Sequence, residues 1–350
     1  MARKRKTLPD NFEAMLKQGD PAELRAVFDG CAIDARGGPG KWTALAFPNC
    51  PDDLARWLVE NGADLAAEDR YGETPLHLRA GSVRGRIAGL LALGADVRHG
   101  EGQPRSTPLH RAAGACIPDN VRILVAAGAP VDARDREGLT PLERTLRYGF
   151  NVKIERLAPV AEMLLTAGAR RSSRMAEWVR RIGTEFEFHR EGFAPELRES
   201  TSSALDRLYV LFEVPPVPRR TMHEGMSPIL VADGPWEDRF QALWDSLVPS
   251  SGAAATVQGE VVRIAGRIAR ELDGNGGVNW DAAYRAMAEA WLAHVGTGTP
   301  LSADGLAETA RIVAEAKRRS GDPRRLCALA VDWVRLNPRP MPLAPPAYDR

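Results

Sequence analysis

Arginine forks at regular intervals are the first chemistry visible in this chain. Arg111 and Arg144 stand at equivalent positions 33 residues apart, and Arg147 lies one helical turn beyond Arg144. Leu78 holds the same position one interval earlier. A guanidinium offers five N–H donors in a planar fork that suits carboxylates, and arginine is enriched at protein-binding hot spots. A second polar set falls at the turns between these positions: Arg70, Tyr71 and Glu73, then Gln103 and Arg105, then Arg136 and Glu137. The chemistry implied is recognition of a protein partner with an acidic surface. The plainer alternative is a solvated face neutralised locally by Glu137 and Glu143.

Other constellations point to less. Asp273-Gly274-Asn275-Gly276 aligns with the middle of a calcium loop, but Glu271 then takes its first position and Ala282 its last, where a bidentate glutamate is needed. A helix-ending turn, with Asn279 or Asp281 capping the next helix, fits better. Glu185, Glu187, His189 and Glu191 alternate, a spacing that spreads them around a helix. The polar entry at Thr256-Val257-Gln258-Gly259 suits an anion at a helix start, yet no Gly-Lys-Ser/Thr follows. There is no G-x-S-x-G or H-E-x-x-H. Cys31, Cys50, Cys116 and Cys327 form no C-x-x-C pair, so reduced cytoplasmic thiols are expected. The expectation is a chain with no catalytic residues, metal or cofactor. An alternative places an enzyme or ligand sensor in the C-terminal half, with the first half as its targeting arm.

The elements that position the arginines recur. Thr43-Ala44-Leu45-Ala46, Thr74-Pro75-Leu76-His77, Thr107-Pro108-Leu109-His110 and Thr140-Pro141-Leu142-Glu143 are spaced by 31, 33 and 33 residues. Each leads to a Gly-Ala pair, at Gly62, Gly94, Gly128 and Gly168. Threonine caps a helix, proline at the first helical position loses nothing, and glycine closes the second helix. In repeats of this kind His77 is expected to bond backbone of an adjacent unit. Arg79 stands where such repeats usually carry a small buried alanine, so it either snorkels out or marks a distortion. The net charge is +1, without the strongly basic footprint of a nucleic-acid binder. No apolar run reaches the length of a membrane span. Lysine occurs at only six positions against abundant arginine, alanine and glycine, a bacterial-looking composition.

Thr-Pro-Leu-His recurring at 33 residues with Gly-Ala-x-Val closely resembles the ankyrin repeat family over about residues 8–172. The resemblance implies an all-α fold, with helix pairs stacked as a solenoid, hairpin loops between them and a protein partner bound by hairpin tips and inner helices. Residues 173–218 read as a helical cap of this array and 219–235 as a linker. Residues 236–336 read as a C-terminal α-helical bundle, with its tryptophans in the core, and 337–350 as a free Pro-rich tail. The layout is similar to bacterial immunity proteins that neutralise toxins.

Overall fold

The computed structural model describes residues 4–103 and 105–348. The chain is mostly helical, 55 % helix and 4 % strand. It forms two compact units. One holds residues up to Phe186 together with Ala194–Val217, and the other holds Glu187–Phe193 and the chain from Pro218.

The first unit opens with a small sheet that goes beyond the β-hairpin loops expected between helix pairs. β1 (Arg5–Thr7), β2 (Cys31–Gly37) and β3 (Trp42–Thr43) form one sheet in that order, the first pair parallel and the second antiparallel. Alternation explains β2: Cys31 and Ala35 are buried on one face, as a period of two requires. Between β1 and β2 run α1 (Phe12–Gln18) and α2 (Pro21–Gly30), whose Phe12 and Phe28 meet edge-on. The next unit has only a short 3-10 turn, Ala44–Ala46, before α3 (Asp52–Glu60). Pro48 and Pro51 stop that turn from growing into a helix.

Helix pairs follow: α4 (Pro75–Ala80) with α5 (Ala88–Ala92), α6 (Pro108–Gly114) with α7 (Pro118–Ala126), and α8 (Pro141–Arg147) with α9 (Ile154–Thr166). α4 packs on α6 and α6 on α8, while α7 packs on α9. Thr74, Thr107 and Thr140 each start an inner helix with a reciprocal capping box whose third helical residue is His77, His110 or Glu143. His77 Nε2 lies 3.0 Å from the Ser106 carbonyl, and His110 Nε2 lies 3.0 Å from that of Leu139. Nδ1 of each ring accepts its own threonine amide, so the ring proton sits on Nε2 and ties one unit to the next. Gly62, Gly94, Gly128 and Gly168 have φ of 90°, 96°, 81° and 93°. Each lets the following alanine amide reach back to a leucine carbonyl at 2.9 or 3.0 Å, giving four equivalent left-handed caps.

Arg79 does not snorkel. It is fully buried, with Nε 2.7 Å from the Leu45 carbonyl and Nη1 3.1 Å from the Arg86 carbonyl. Leu45 lies in the truncated turn, whose carbonyls lack the amide partners a full helix supplies. Arg79 thus replaces bonds lost with the missing inner helix, and burial lowers its basicity. Arg79→Met orphans two carbonyls at about 1–3 kcal/mol each, partly offset by removing a buried cation with no carboxylate bonded to it. The expected net loss is about 2 kcal/mol, read as a lower urea midpoint for the first unit. An unchanged midpoint would mean that the two carbonyls find other donors.

α10 (Ser173–His189) and α11 (Pro195–Phe212) complete the helices of this half, and α11 packs on α9.

The second unit contains α12 (Trp236–Leu247), α13 (Val257–Ala269), α14 (Ala282–Val295), α15 (Ala303–Lys317) and α16 (Arg324–Leu336). α13 packs against α12, α14 and α16. Val261, Ile264, Met287, Trp291, Leu326 and Trp333 share one core. Trp291 donates its indole N–H to the Val261 carbonyl at 2.9 Å. Glu271 holds the turn before α14, its carboxylate taken by Asn279 N at 2.6 Å and by the Asn275 side chain at 3.0 Å.

Two segments outside the helices are held by hydrogen bonds. Residues 219–235 do not hang free: Arg220 donates to the carbonyls of Trp244, Asp245 and Val248 at the end of α12, and His223 N bonds Ser246 O at 2.8 Å. The Pro-rich tail also docks. Prolines lack N–H donors, so the tail is held largely through its carbonyls. Buried Gln258 donates to the carbonyls of Asn337 and Arg339 at 2.9 and 2.7 Å and accepts Met341 N at 3.0 Å. Tyr348 then donates its hydroxyl to buried Glu260 at 2.6 Å.

Candidate partner-binding face

The expected site residues occupy the loops preceding α4, α6 and α8 and the helices themselves. Leu78 is half-buried on α4, Arg111 half-buried on α6, and Arg144 and Arg147 lie on α8. Arg70, Tyr71, Gln103, Arg105, Arg136 and Glu137 are exposed at the tips, and Glu73 is half-buried. A cleft of about 230 Å³ brings together Tyr71, Glu73, Arg105, Arg136, Glu137 and Arg144. Arg70, Leu78, Gln103, Arg111 and Arg147 lie outside its lining.

The inner-helix arginines are already neutralised. Arg111 Nε is 3.2 Å from a Glu73 oxygen, an ion pair between consecutive units. Arg144 lies 2.6 Å from Asp135 and 3.8 Å from Glu137, and Arg147 lies 3.6 Å from Glu137. Glu143 instead caps α8: one oxygen accepts Thr140 N at 3.0 Å and the other accepts the Ser172 hydroxyl at 2.8 Å. Burial opposes ionisation of Asp135. Hydrogen bonds from Leu139 N, Arg144 and Glu137 N outweigh it and hold the carboxyl below its ordinary range. Burial raises Glu73, with Arg111 pulling against it. The inner face is therefore a lattice of fixed pairs, not the open basic surface that the arginine spacing alone suggests.

The tips differ. Arg70 stacks on Tyr71, its guanidinium carbon 5.1 Å from the ring centre, and donates to the Pro39 carbonyl at 3.2 Å. Arg105 shares Glu68 with His99. Among the described residues no carboxylate pairs with Arg70 or Arg136. Lys41, exposed with φ of 58°, stands two residues before Thr43 as Arg105 stands two before Thr107. Sequence reasoning missed Lys41 because its unit lacks the Pro and His that mark the others. The offset from Thr43 was the available signal.

Among the described residues no group of histidine, cysteine and carboxylate side chains is placed to hold a metal, and no helix is long and apolar enough to cross a membrane. The four cysteines are buried and free. Burial pushes the Cys50 thiol up to about 11 and that of Cys327 up to about 12, the reverse of what a nucleophile needs.

Part of this chain matches known proteins. The ankyrin repeat family matches residues 105–136. The "Putative palmitoyltransferase ZDHHC13" of Danio rerio is 33 % identical over 122 residues, which is 34 % of this chain. The chain spans only 19 % of that relative's length. The family match falls on the unit with the Thr107 cap, His110 bridge and Gly128 turn, and residues 105–136 are an ankyrin repeat.

Proposed function

We propose that this protein works by binding a partner protein, and not by catalysis, through the tips and inner helices of an ankyrin solenoid covering about residues 8–172. The observation that carries the reading is the cleft of about 230 Å³ among Tyr71, Arg105 and Arg136, where exposed aromatic and guanidinium groups meet over a rigid floor of ion pairs. Tyrosine and arginine dominate binding hot spots, and pre-ordered side chains lose little entropy on association. The partner chemistry favoured is acidic, because the cations without carboxylate partners lie at the rim. A bacterial immunity protein, neutralising a toxin, is one concrete form of this reading, supported by composition and layout alone.

The test uses the full chain carrying a photo-crosslinking residue at position 103 or 136, or at Arg122 on α7 as control, in the native host. One protein should crosslink from the tips and not from position 122. That product should disappear when Arg111→Glu and Arg144→Glu are added. Equal crosslinking from all three positions, or none from any, overturns the proposal.

A further inference from the structure

We infer that the hairpin tips form a ladder of four cations, Lys41, Arg70, Arg105 and Arg136, that takes an extended acidic segment with a carboxylate at every third residue. The inference rests on the protein-binding reading above and adds the partner's spacing. Each cation belongs to a successive unit, two or four residues before Thr43, Thr74, Thr107 or Thr140. The tips touch in sequence. Arg70 N bonds the Gly40 carbonyl at 3.3 Å. Arg105 Nη1 lies so near Gly72 that a Cβ there would sit 3.3 Å from it. Arg105 and Arg136 line one cleft.

Packed helices lie about 8–10 Å apart, which sets the rise from one tip to the next. Three residues of extended chain cover about 10 Å, because a strand rises about 3.3 Å per residue. Carboxylates at positions i, i+3, i+6 and i+9 therefore meet successive cations. Lys41, Arg70 and Arg136 have no carboxylate partner among the described residues, and Arg105 has one, the half-exposed Glu68. A carboxylate reaching the first three displaces no existing pair. A polyphosphate is the competing occupant. The near-neutral chain does not favour it, since nucleic-acid binding draws on a broad basic surface.

The test measures binding of two synthetic twelve-residue peptides of identical composition to the full chain by fluorescence anisotropy at low salt. One carries glutamate at every third residue, separated by serine and glycine, and the other carries its four glutamates together. A twelve-residue oligothymidylate is the third probe. The spaced peptide should bind at least about fivefold tighter than its isomer, and binding should weaken as salt rises. Lys41→Ala, Arg70→Ala, Arg105→Ala and Arg136→Ala should each cost about two- to fivefold, as exposed ion pairs do. Arg122→Ala should cost nothing. Equal binding of the isomers, indifference to the four substitutions, or tighter binding of the oligothymidylate overturns the ladder. If the ladder fails while tip crosslinks persist, the protein-binding reading stands alone. If both fail, that reading falls too.

Discussion

Arg263→Met is expected to destabilise the second unit by about 3–5 kcal/mol, the largest effect of any single substitution considered for this protein. Glu260 and Arg263 are essentially unexposed on α13. Their pairing is bidentate, with Nη2 2.7 Å from Oε1 and Nε 2.8 Å from Oε2. Glu260 also accepts Ala254 N at 2.9 Å and the Tyr348 hydroxyl at 2.6 Å. Burial pushes its carboxyl up, but these donors win and hold it below the usual range. Without Arg263 the burial effect gains ground, and the unit must bury an under-compensated charge or protonate it.

Two measurements separate this account from a simple packing defect. The double variant Glu260→Gln/Arg263→Met should cost less than Arg263→Met alone, because it removes the stranded charge. The penalty of Arg263→Met should also shrink as pH falls, because Glu260 then takes up a proton. A double variant as unstable as the sum of its parts, or a penalty independent of pH, would overturn the account. Tyr348 rests on the same carboxylate, so exchange protection of the tail should fall along with that of α13.

The repeat units were legible in sequence because each of their parts has a local cause. Threonine caps, proline starts, histidine bridges to the next unit and glycine turns left-handed, all within one period. Arg79 was visible only as an anomaly. Its role depends on Leu45, 34 residues away, where Pro48 and Pro51 end a turn early. The β1–β2 pairing was not legible, because Arg5-Lys6-Thr7 is too short and too charged to show an alternating strand pattern and pairs only with the distant Cys31–Gly37. The docked tail was hidden for the same reason. A run of prolines looks solvated unless a buried glutamine elsewhere is known to bind its carbonyls. The repeat spacing set the expected positions of the tip and inner-face residues but said nothing of their charge pairing. Asp135, Glu137 and Glu73 are close in sequence to the arginines or one unit away, and only the geometry shows Arg111 and Arg144 neutralised while Arg70 and Arg136 have no carboxylate partner among the described residues.

The histidines that join the units make the first unit sensitive to acid. His77 is 1 % exposed, and burial lowers its pKa to about 4, against the bond to Ser106 that favours the charged form. His110 shifts the same way for the same reason. Between about pH 6.5 and 4 the unfolded chain binds a proton that the folded ring refuses, so stability rises with pH across this window. The contribution is complete above the unfolded value and is lost as pH falls toward 4. At pH 4.5 the loss from His77 alone is about 2.5 kcal/mol, following from the lowered pKa. His77→Gln supplies the check. The third unit of this type already uses Glu143 at the equivalent position, where a carboxylate oxygen accepts the Thr140 amide at 3.0 Å. A glutamine oxygen fills the same role for Thr74 without titrating. His77→Gln should therefore be slightly less stable than the parent at pH 7.5 and clearly more stable at pH 4.5. The readout is the protection of α4 and α6 amides in hydrogen exchange, corrected for intrinsic rates. Parallel pH profiles for the two proteins would show that His77 is not the group that titrates.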